Sequence, residues 1–428
     1  MEVRLAGFNV DTEVLARLNA GGREVLTPET LSAAYARISR SQKSVPELRR
    51  DAVADVAKAR KSSQSIIFDM GHHSVAEHAV FNLDVLGVSR IALEALESFR
   101  LASYTEKSQR YVTLKGDFVL PDEIAGTPDE PDFLAHVERM NEGYRRSLAR
   151  LLDFHRARRP DLAATSAGGR LLEGMAKEDA RYFLPLATCG QVGMTLNARS
   201  LEHLFRRFSL SPYQEVRRLG REIHALIEPV APSLILFPTP SSFEVRLDQV
   251  ARRLPAPAAA AGEPFRLVRT DGGGDRTILA ALIARVRGCG FASADAAVET
   301  MTGEEILAAY RDLFTDMAFF DTPPREFELV RLTFEAVVSA AAFAQLKRHR
   351  MATLLAGPYD PGLGVTVPPA LHEAGLTQDL LDLAAAANRM HRRLEPRRGP
   401  AADYVLSGGH RRRVVMEMNL REVYHFVR

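Results

Sequence analysis

An internal repeat constrains the fold of this chain more than any other feature. The segment 181–208, RYFLPLATCGQVGMTLNARSLEHLFRRF, matches the segment 403–428, DYVLSGGHRRRVVMEMNLREVYHFVR. An earlier pair of segments matches as well, since an apolar run, a serine and a short helical pattern recur around Ser89 and around Ser339. Two motifs that recur in the same order predict tandem homologous domains.

A change in composition predicts where the two copies meet. Residues 251–264, ARRLPAPAAAAGEP, are rich in Pro and Ala and have no periodic apolar pattern. We therefore predict a first domain over 1–245, a Pro/Ala linker over 246–264 and a shortened second domain over 265–428. The second copy stops at Arg428, before the equivalent of the helix predicted at 214–230 in the first copy.

Apolar periodicity predicts both strands and helices in each copy. Phe81, Leu83 and Val85 alternate with polar residues, which is typical of a half-buried strand. Ser89 is a suitable N-cap for a helix that should end at Arg100, and the polar run after it predicts a loop. The expected fold class is α/β (α+β), with two tandem domains that are each a β-sheet flanked by helices.

Length and composition narrow the class of protein. A chain of 428 residues is long enough for two or three domains, and 46% hydrophobic with 26% charged residues is typical of a soluble globular protein. No apolar run approaches the roughly 18–20 residues of a membrane helix, and the acidic N-terminus does not resemble a signal peptide, so we expect a cytoplasmic protein without a membrane partner. Cys189 and Cys289 form no disulfide or zinc pattern and are expected to be buried apolar side chains.

The cationic residues are mostly arginines, which suit phosphate and carboxylate ligands. The densest basic run, 145–159, has Leu148, Leu151 and Leu152 on its opposite side. That spacing predicts a solvated helix face rather than a nucleic-acid interface, so no nucleic-acid partner is expected.

A histidine cluster precedes the predicted strand at Phe81. His73 and Glu77 have the i, i+4 spacing that can place two metal ligands on one face of a helix. The spacing differs from that of HExxH, so we predict no metal site and favour contact with a cofactor.

Three motifs carry a family resemblance. The segments MGHHSVAEH, SFRLASYTEKSQRYV and ARYFLPLATCGQVGMTLNARSLEHLFRR, in that order, resemble flavin-dependent thymidylate synthase. The resemblance covers about residues 1–240 well and 265–428 more faintly. It implies an enzyme that methylates dUMP to dTMP, with FAD as cofactor and methylene-tetrahydrofolate and NADPH as co-substrates. It implies no side-chain nucleophile.

The family signature, Arg-His-Arg followed by seven residues and Ser, is divided between the copies. The first copy has Ser98-Phe99-Arg100 and then Ser108, whereas the second has Arg348-His349-Arg350 and then Pro358. The resemblance implies an active site between subunits of a homotetramer, so a composite site needs one intact half from each copy. We therefore predict a homodimer that forms a pseudo-tetramer of domains around a small-molecule nucleotide substrate.

The resemblance implies a role for each matching position. The residues expected to bind substrate are Glu106, Ser108, Arg110, Arg181, Gln345 and Arg348. The residues expected to bind cofactor are His73, Arg100, Asn197, Arg199, His203, Arg348, His349, Arg350, Asn419 and His425.

One departure from the family leaves alternatives open. Phe208 occupies the position of the arginine that holds the uracil ring in the family, and Arg206 or Arg207 can substitute for it. A degenerate paralogue that binds flavin or nucleotide in a regulatory or structural role is the alternative to an enzyme. A related reaction on another pyrimidine nucleotide also remains open.

Overall fold

The computed structural model describes residues 1–254 and 263–428, except for the side chains of Asp248 and Arg252. Packing divides these residues into two compact units. The first unit comprises the described parts of Met1–Ala258 together with Val367–Gly409, and the second comprises those of Ala259–Thr366 together with His410–Arg428. The predicted domain boundaries at 245 and 265 divide the chain by its repeated sequence, and they remain a prediction. The division by packing is different, because segment 367–409 of the second copy packs in the first unit.

The first unit contains four strands and many helices. In chain order they are β1 (Glu2–Phe8), α1 (Thr12–Asn19), α2 (Glu29–Ala36), α3 (Val45–Ala54), α4 (Val56–Gln64), β2 (Val80–Ser89), α5 (Arg90–Leu96), β3 (Ala102–Glu106), α6 (Glu130–Arg158), α7 (Pro160–Ala163), α8 (Ser166–Ala180), β4 (Cys189–Asn197), α9 (Ala198–Ser209), α10 (Gln214–Ile227), α11 (Ser242–Arg253), and later α16 (Pro369–Glu373) and α17 (Thr377–Arg398).

The second unit contains the second sheet. Its elements are β5 (Phe265–Thr270), α12 (Gly274–Arg287), α13 (Phe291–Glu299), α14 (Gly303–Phe314), β6 (Arg331–Ser339), α15 (Ala340–Leu346), β7 (Thr353–Tyr359), β8 (Arg411–Asn419) and α18 (Leu420–Val427).

The two sheets have the same topology. The first has the strand order β1-β2-β4-β3 and the second has β5-β6-β8-β7, with antiparallel pairing throughout. The mixed helix-and-sheet fold with two tandem sheets, which the repeat predicts, is therefore confirmed.

Serine caps begin the equivalent helices of both copies. Ser89 Oγ accepts a hydrogen bond from the Ala92 N–H at 3.1 Å, and Ser339 Oγ accepts one from the Ala342 N–H at 3.1 Å. Such caps satisfy backbone donors that have no partner in the first helical turn. The predicted start at Ser89 is confirmed, although α5 ends at Leu96 rather than at Arg100.

Two local predictions are corrected. Residues 102–106, expected in a polar loop, form strand β3, because β4 supplies an open edge on which Ala102 pairs with Leu196. Residues 246–253 of the predicted linker belong to helix α11, which begins at a capping box formed by Ser241 and Glu244. Residues 255–262 of that linker lie outside the described residues.

The main core of the first unit lies between its sheet and helices α5, α9 and α10. Phe81, Leu83 and Leu196 of the strands pack in one buried cluster with Leu93 and Leu201 of the helices. A second cluster joins α6, α8, α16 and α17 through Leu151, Ala176, Leu371 and Leu380. The predicted solvated face of α6 is confirmed, because Leu151 is buried while Arg145, Arg150 and Arg158 are exposed.

Two repeat-equivalent segments pair with each other in the first unit. The N–H of Leu186 donates to the carbonyl of Leu406 at 2.8 Å, and the N–H of Gly408 donates to the carbonyl of Leu184 at 2.8 Å. Residues 182–187 and 404–409 are thus held together by backbone hydrogen bonds. This pairing explains why segment 367–409 belongs to the first unit.

A buried polar network lies beside that pairing. Asp403 accepts a hydrogen bond from Tyr213 OH at 2.6 Å and lies 3.0 Å from His391 Nε2. Glu215 accepts hydrogen bonds from Ser89 Oγ and Tyr404 OH, each at 2.6 Å. Buried polar groups of this kind stabilise a fold only when they are hydrogen-bonded, so the network fixes α10 against 399–405.

None of the helices within 1–254 and 263–428 combines the length and apolar character needed to cross a bilayer.

The prediction that both cysteines are buried is wrong, because Cys289 is exposed on a loop and Cys189 is only half-buried at the start of β4. Partial burial raises the pKa of the Cys189 thiol to about 11, which disfavours the thiolate form at neutral pH.

Candidate functional site

A buried ion pair lies at the end of β3. Arg90, at the start of α5, donates to the carboxylate of Glu106, and both side chains are almost fully enclosed. Burial is the largest single effect and lowers the pKa of Arg90, but Glu106, Glu94 and Glu97 together outweigh it, so the net pKa is raised. Glu106, expected to bind substrate, therefore holds a structural arginine.

Two further arginines converge on Glu178, near the end of α8. Arg181 Nη2 lies 3.7 Å from Glu178 Oε1, and Arg110 Nη1 lies 3.5 Å from the same oxygen. Burial lowers the pKa of Arg181, and the nearby charges of Arg90 and Arg110 lower it further, whereas Glu178 opposes the shift. The structure thus brings Arg110 and Arg181 together at Glu178, with Arg90 near enough for its charge to act on Arg181. This place disfavours additional positive charge and favours an anion.

The loop that follows β3 carries Ser108 and Arg110. Ser108 Oγ accepts a hydrogen bond from the Arg110 N–H at 3.2 Å, which forms a tight polar turn. Buried Lys177 donates to the carbonyl of Tyr111 at 3.1 Å, and Asn141 Nδ2 donates to the carbonyl of Gly116 at 3.0 Å. Helix α8 therefore holds this loop near its middle, and helix α6 holds it at its end.

A carboxyl group with an unusual pKa stands beside the arginines. Partial burial and the neighbouring charge of Glu178 raise the pKa of Asp179 to about 6, and Arg181 only partly offsets them. Asp179 consequently changes charge near physiological pH next to the arginine cluster.

The second unit carries the Arg-His-Arg signature at the end of α15. Arg348 and Arg350 are exposed, while His349 and Gln345 are half-buried. His349 Nδ1 lies 3.1 Å from Glu422 Oε1, and the His349 ring lies 5.6 Å from the His425 ring. A histidine flanked by two solvent-facing arginines forms a cationic surface that suits a diphosphate.

The equivalent position in the first copy is apolar. Phe99 is 8% exposed, and its ring meets that of Phe208 edge-on with 6.0 Å between centroids. The guanidinium of Arg207 lies 4.9 Å from the centre of the Phe99 ring. Two of the departures from the family pattern in this copy, Phe99 and Phe208, are therefore in mutual contact, and Arg100 lies exposed next to them.

The remaining uracil-reading candidate, Arg206, lies on the same helix as Phe208. Its Nη2 is 3.5 Å from Glu202 Oε1, and burial raises the pKa of that carboxyl group. Arg206 and Arg207 are thus engaged with Glu202 and Phe99 respectively.

The matched Asn and Arg pairs have structural partners in both copies. Asn197 Oδ1 accepts from the Ser200 N–H and Asn419 Oδ1 accepts from the Glu422 N–H, each at 2.8 Å, so both asparagines cap helices. Arg199 pairs with Glu77 at 2.5 Å, and the second-copy equivalent Arg421 pairs with Glu328 at 3.0 Å. In each copy, the Asn of the motif therefore fixes the start of a helix, and the Arg forms an ion pair.

His73 and His203 lie close to one another in the first unit. Partial burial lowers the pKa of His203, and the charges of Arg206, Arg199 and His73 act in the same direction. The His73 ring also meets Phe68 edge-on at 5.9 Å. Among the residues that the structure describes, no group of three His, Cys, Asp or Glu side chains is placed to hold a metal ion.

Sequence reasoning missed three charged residues that support Arg110, Arg181 and their loop: Arg90, Lys177 and Glu178. Arg90 directly follows the capping Ser89, but nothing in its neighbourhood signals a partner 16 positions away. Lys177 and Glu178 appear in the sequence as ordinary charged positions on a helix. Only the packing of α8 against the 107–116 loop gives them a role.

Comparison with known proteins gives a family match over most of the chain. The model of the family described as thymidylate synthase complementing protein matches residues 24–233 and again 266–428. The flavin-dependent thymidylate synthase of Geobacter sulfurreducens is 32% identical over 211 residues, covering 48% of this chain and 80% of that protein. The Clostridium tetani protein of the same name is 31% identical over 225 residues, covering 50% of this chain and 83% of that protein.

A longer relative spans both copies. UPF0159 protein Ta1429 of Thermoplasma acidophilum is 24% identical over 430 residues, covering 90% of this chain and 86% of that protein. A solved structure of flavin-dependent thymidylate synthase ThyX from Helicobacter pylori, complexed with FAD and dUMP, aligns with a TM-score of 0.33 and 18% identity. That alignment covers 55% of this chain and all of the Helicobacter chain.

Proposed function

Because the chain belongs to the thymidylate synthase complementing protein family, with flavin-dependent thymidylate synthases among its relatives, we propose that it methylates dUMP to dTMP. The proposed cofactor is FAD, and the proposed co-substrates are methylene-tetrahydrofolate and NADPH. The proposed site is composite: the first copy supplies the groups that bind the nucleotide, and the second copy supplies those that bind the flavin.

The observation that carries the proposal is the cluster of Arg110 and Arg181 around Glu178, beside the loop with Ser108. Arg181 is buried and its pKa is lowered, so its charge is poorly compensated by the protein alone. A nucleotide phosphate would compensate it, and each charge-assisted hydrogen bond would contribute about 1.5–3 kcal/mol. Ser108 adds a hydroxyl donor at the same turn.

The second copy offers the donor chemistry that a flavin dinucleotide requires. Arg348 and Arg350 are exposed, and Glu422 lies within hydrogen-bond distance of the His349 ring between them. When bound, the flavin supplies the hydride chemistry, and the chain holds and orients the reactants. In the first copy the position of the signature histidine is occupied by Phe99, a buried apolar side chain that packs against Phe208 and offers no donor of its own.

The assignment of nucleotide-binding and flavin-binding groups to different copies has a consequence for assembly. If each site requires groups from unlike copies, two chains contain two complete sets of groups rather than four. We expect a cytoplasmic homodimer with four copies of the domain, and light scattering after gel filtration measures its mass directly.

Release of tritium from dUMP labelled at C5 tests the activity. Full-length protein loaded with FAD and supplied with NADPH and methylene-tetrahydrofolate should release tritium, and omission of any one component should abolish the release. Arg110→Gln should weaken the response to dUMP, whereas Arg156→Gln removes an exposed charge near the end of α6 and should not. Protein that binds FAD but releases no tritium would contradict the enzymatic proposal.

One observation favours a second candidate. Phe208 stands at the uracil-reading position and is buried in the core, so the chain offers no cation at that position. A degenerate paralogue would bind flavin or nucleotide and transmit that binding to a partner without turnover. Retained FAD affinity and dUMP affinity in the absence of tritium release is the result that this candidate predicts.

A further inference from the structure

A groove between α6 and α17 lies outside the residues matched to the family signature. It has a volume of about 280 Å³ and is entirely within the first unit. Its α6 wall is formed by Asp132, Ala135, His136 and Arg139, and its α17 wall by Ala386, Arg389, Met390 and Arg393.

The groove is built by equivalent stripes of two antiparallel helices. Each wall has the spacing i, i+3, i+4, i+7, which places its four residues on one helix face. The Asp132–Arg393 ion pair at 2.6 Å links the start of one stripe with the end of the other. Ala135 and Ala386 leave space where longer side chains would fill the groove.

The groove is positively charged. Arg139, Arg389 and Arg393 contribute three cations, whereas Asp132 is the single carboxylate in its lining. His136 is buried and its Nε2 lies 3.1 Å from the carbonyl of Val405. Burial lowers the pKa of His136 more than its hydrogen bond with Val405 raises it, and Arg139 lowers it further, so the arginines set the charge of the groove.

We propose that this groove is a second anion site, which binds a phosphate-class oxyanion between Arg139 of α6 and Arg389 of α17. Guanidinium groups suit this ligand because their planar N–H donors match the geometry of phosphate oxygens. The volume accommodates a diphosphate and is open to solvent along the helices. A ligand there would bridge α6 to α17. Because Asn141 of α6 holds the 107–116 loop, the ligand would also be linked to that loop.

The proposal does not depend on the proposed catalytic function. It concerns residues that neither the family signature nor the arginine cluster of the first copy includes. Loss of thymidylate synthesis would therefore leave it unaffected, and the converse also holds.

Isothermal titration of the full-length protein with inorganic pyrophosphate tests the site, with dUMP and FAD at saturation to occupy the proposed nucleotide and flavin halves. We expect one pyrophosphate per chain in the groove and about 10- to 100-fold weaker binding in Arg139→Gln/Arg389→Gln. The matched control Arg145→Gln/Arg392→Gln removes two exposed charges from the same two helices, outside the groove lining, and should bind as the wild type does.

Three results would overturn the proposal. They are the absence of pyrophosphate binding by the wild type, equal weakening in the groove and control variants, and undiminished binding in the groove variant. Circular dichroism of each variant verifies that it is folded. If the double groove variant unfolds, the single variants Arg139→Gln and Arg389→Gln decide, because each should weaken binding by itself.

Discussion

Replacement of Arg181 by methionine should separate nucleotide binding from fold stability. The side chain is 7% exposed, and burial together with Arg90 and Arg110 lowers its pKa, so the folded protein gains little from its charge. Methionine fills a similar volume without that unfavourable charge. We therefore expect the free energy of unfolding to be unchanged or slightly increased.

The same replacement should weaken dUMP binding substantially. Loss of one charge-assisted hydrogen bond costs about 1.5–3 kcal/mol, which corresponds to roughly 10- to 150-fold in the dissociation constant. The assay is titration of FAD-loaded protein with dUMP, paired with urea unfolding of the same preparation.

Arg90→Met provides the contrast for this experiment. It leaves Glu106 buried without its cation, and breaking a buried pair from one side costs about 3–5 kcal/mol of stability. If Arg181→Met binds dUMP as tightly as the wild type, or is destabilised as much as Arg90→Met, the assignment of Arg181 to an anion site is refuted.

Four further predictions concern other parts of the chain. Phe99→Ala should lower the free energy of unfolding by about 3–5 kcal/mol in urea melts without loss of bound flavin, and a flavin-free variant would contradict it. Arg350→Ala should abolish flavin absorbance after gel filtration, whereas Arg100→Ala should not. Equal losses of flavin in the two variants would exclude the proposal that the second copy supplies the flavin-binding groups. Asp179 has a folded pKa of about 6 against about 3.9 unfolded, so its contribution to stability declines as pH rises between those values, and Asp179→Asn should remove that decline in unfolding measured from pH 4 to 8. Asp403→Ala should destabilise the fold more than Asp403→Asn, because the amide retains an acceptor for Tyr213; equal effects in thermal melts would show that the hydrogen bond contributes little.

Local and repeated signals predict much of this fold. The alternation through Phe81, the caps at Ser89 and Ser339 and the paired motifs at 181–208 and 403–428 depend on residues near one another in sequence. Because such signals act within one element, periodicity and cap chemistry are enough to locate them.

Features that depend on distant partners could not be predicted in this way. Strand β3 forms on the edge of β4, about 90 positions later, although its own sequence is polar. The assignment of 367–409 to the first unit follows from the pairing of 404–409 with 182–187 and from the packing of Leu371 and Leu380 in the cluster that contains Leu151. Neither partner is visible in the local sequence.

The candidate site likewise contains some residues that the sequence assigned correctly and others that it could not assign. The resemblance identified Arg110 and Arg181, which converge on Glu178, but it also assigned Asn197 to a cofactor although its oxygen caps α9. Capping and ligand binding use the same amide oxygen, so a motif by itself does not distinguish between them. The contact between Phe99 and Phe208 explains two departures together that appear unrelated in sequence.

The number of FAD molecules bound per chain tests the central claim most directly. Flavin absorbance of the purified, FAD-saturated protein, divided by protein concentration from amino-acid analysis, should give one FAD per chain, because only the second copy has the Arg348-His349-Arg350 group. A value of two would contradict the account, since the Phe99 position of the first copy would then also bind flavin, and a value of zero would remove the flavin half altogether.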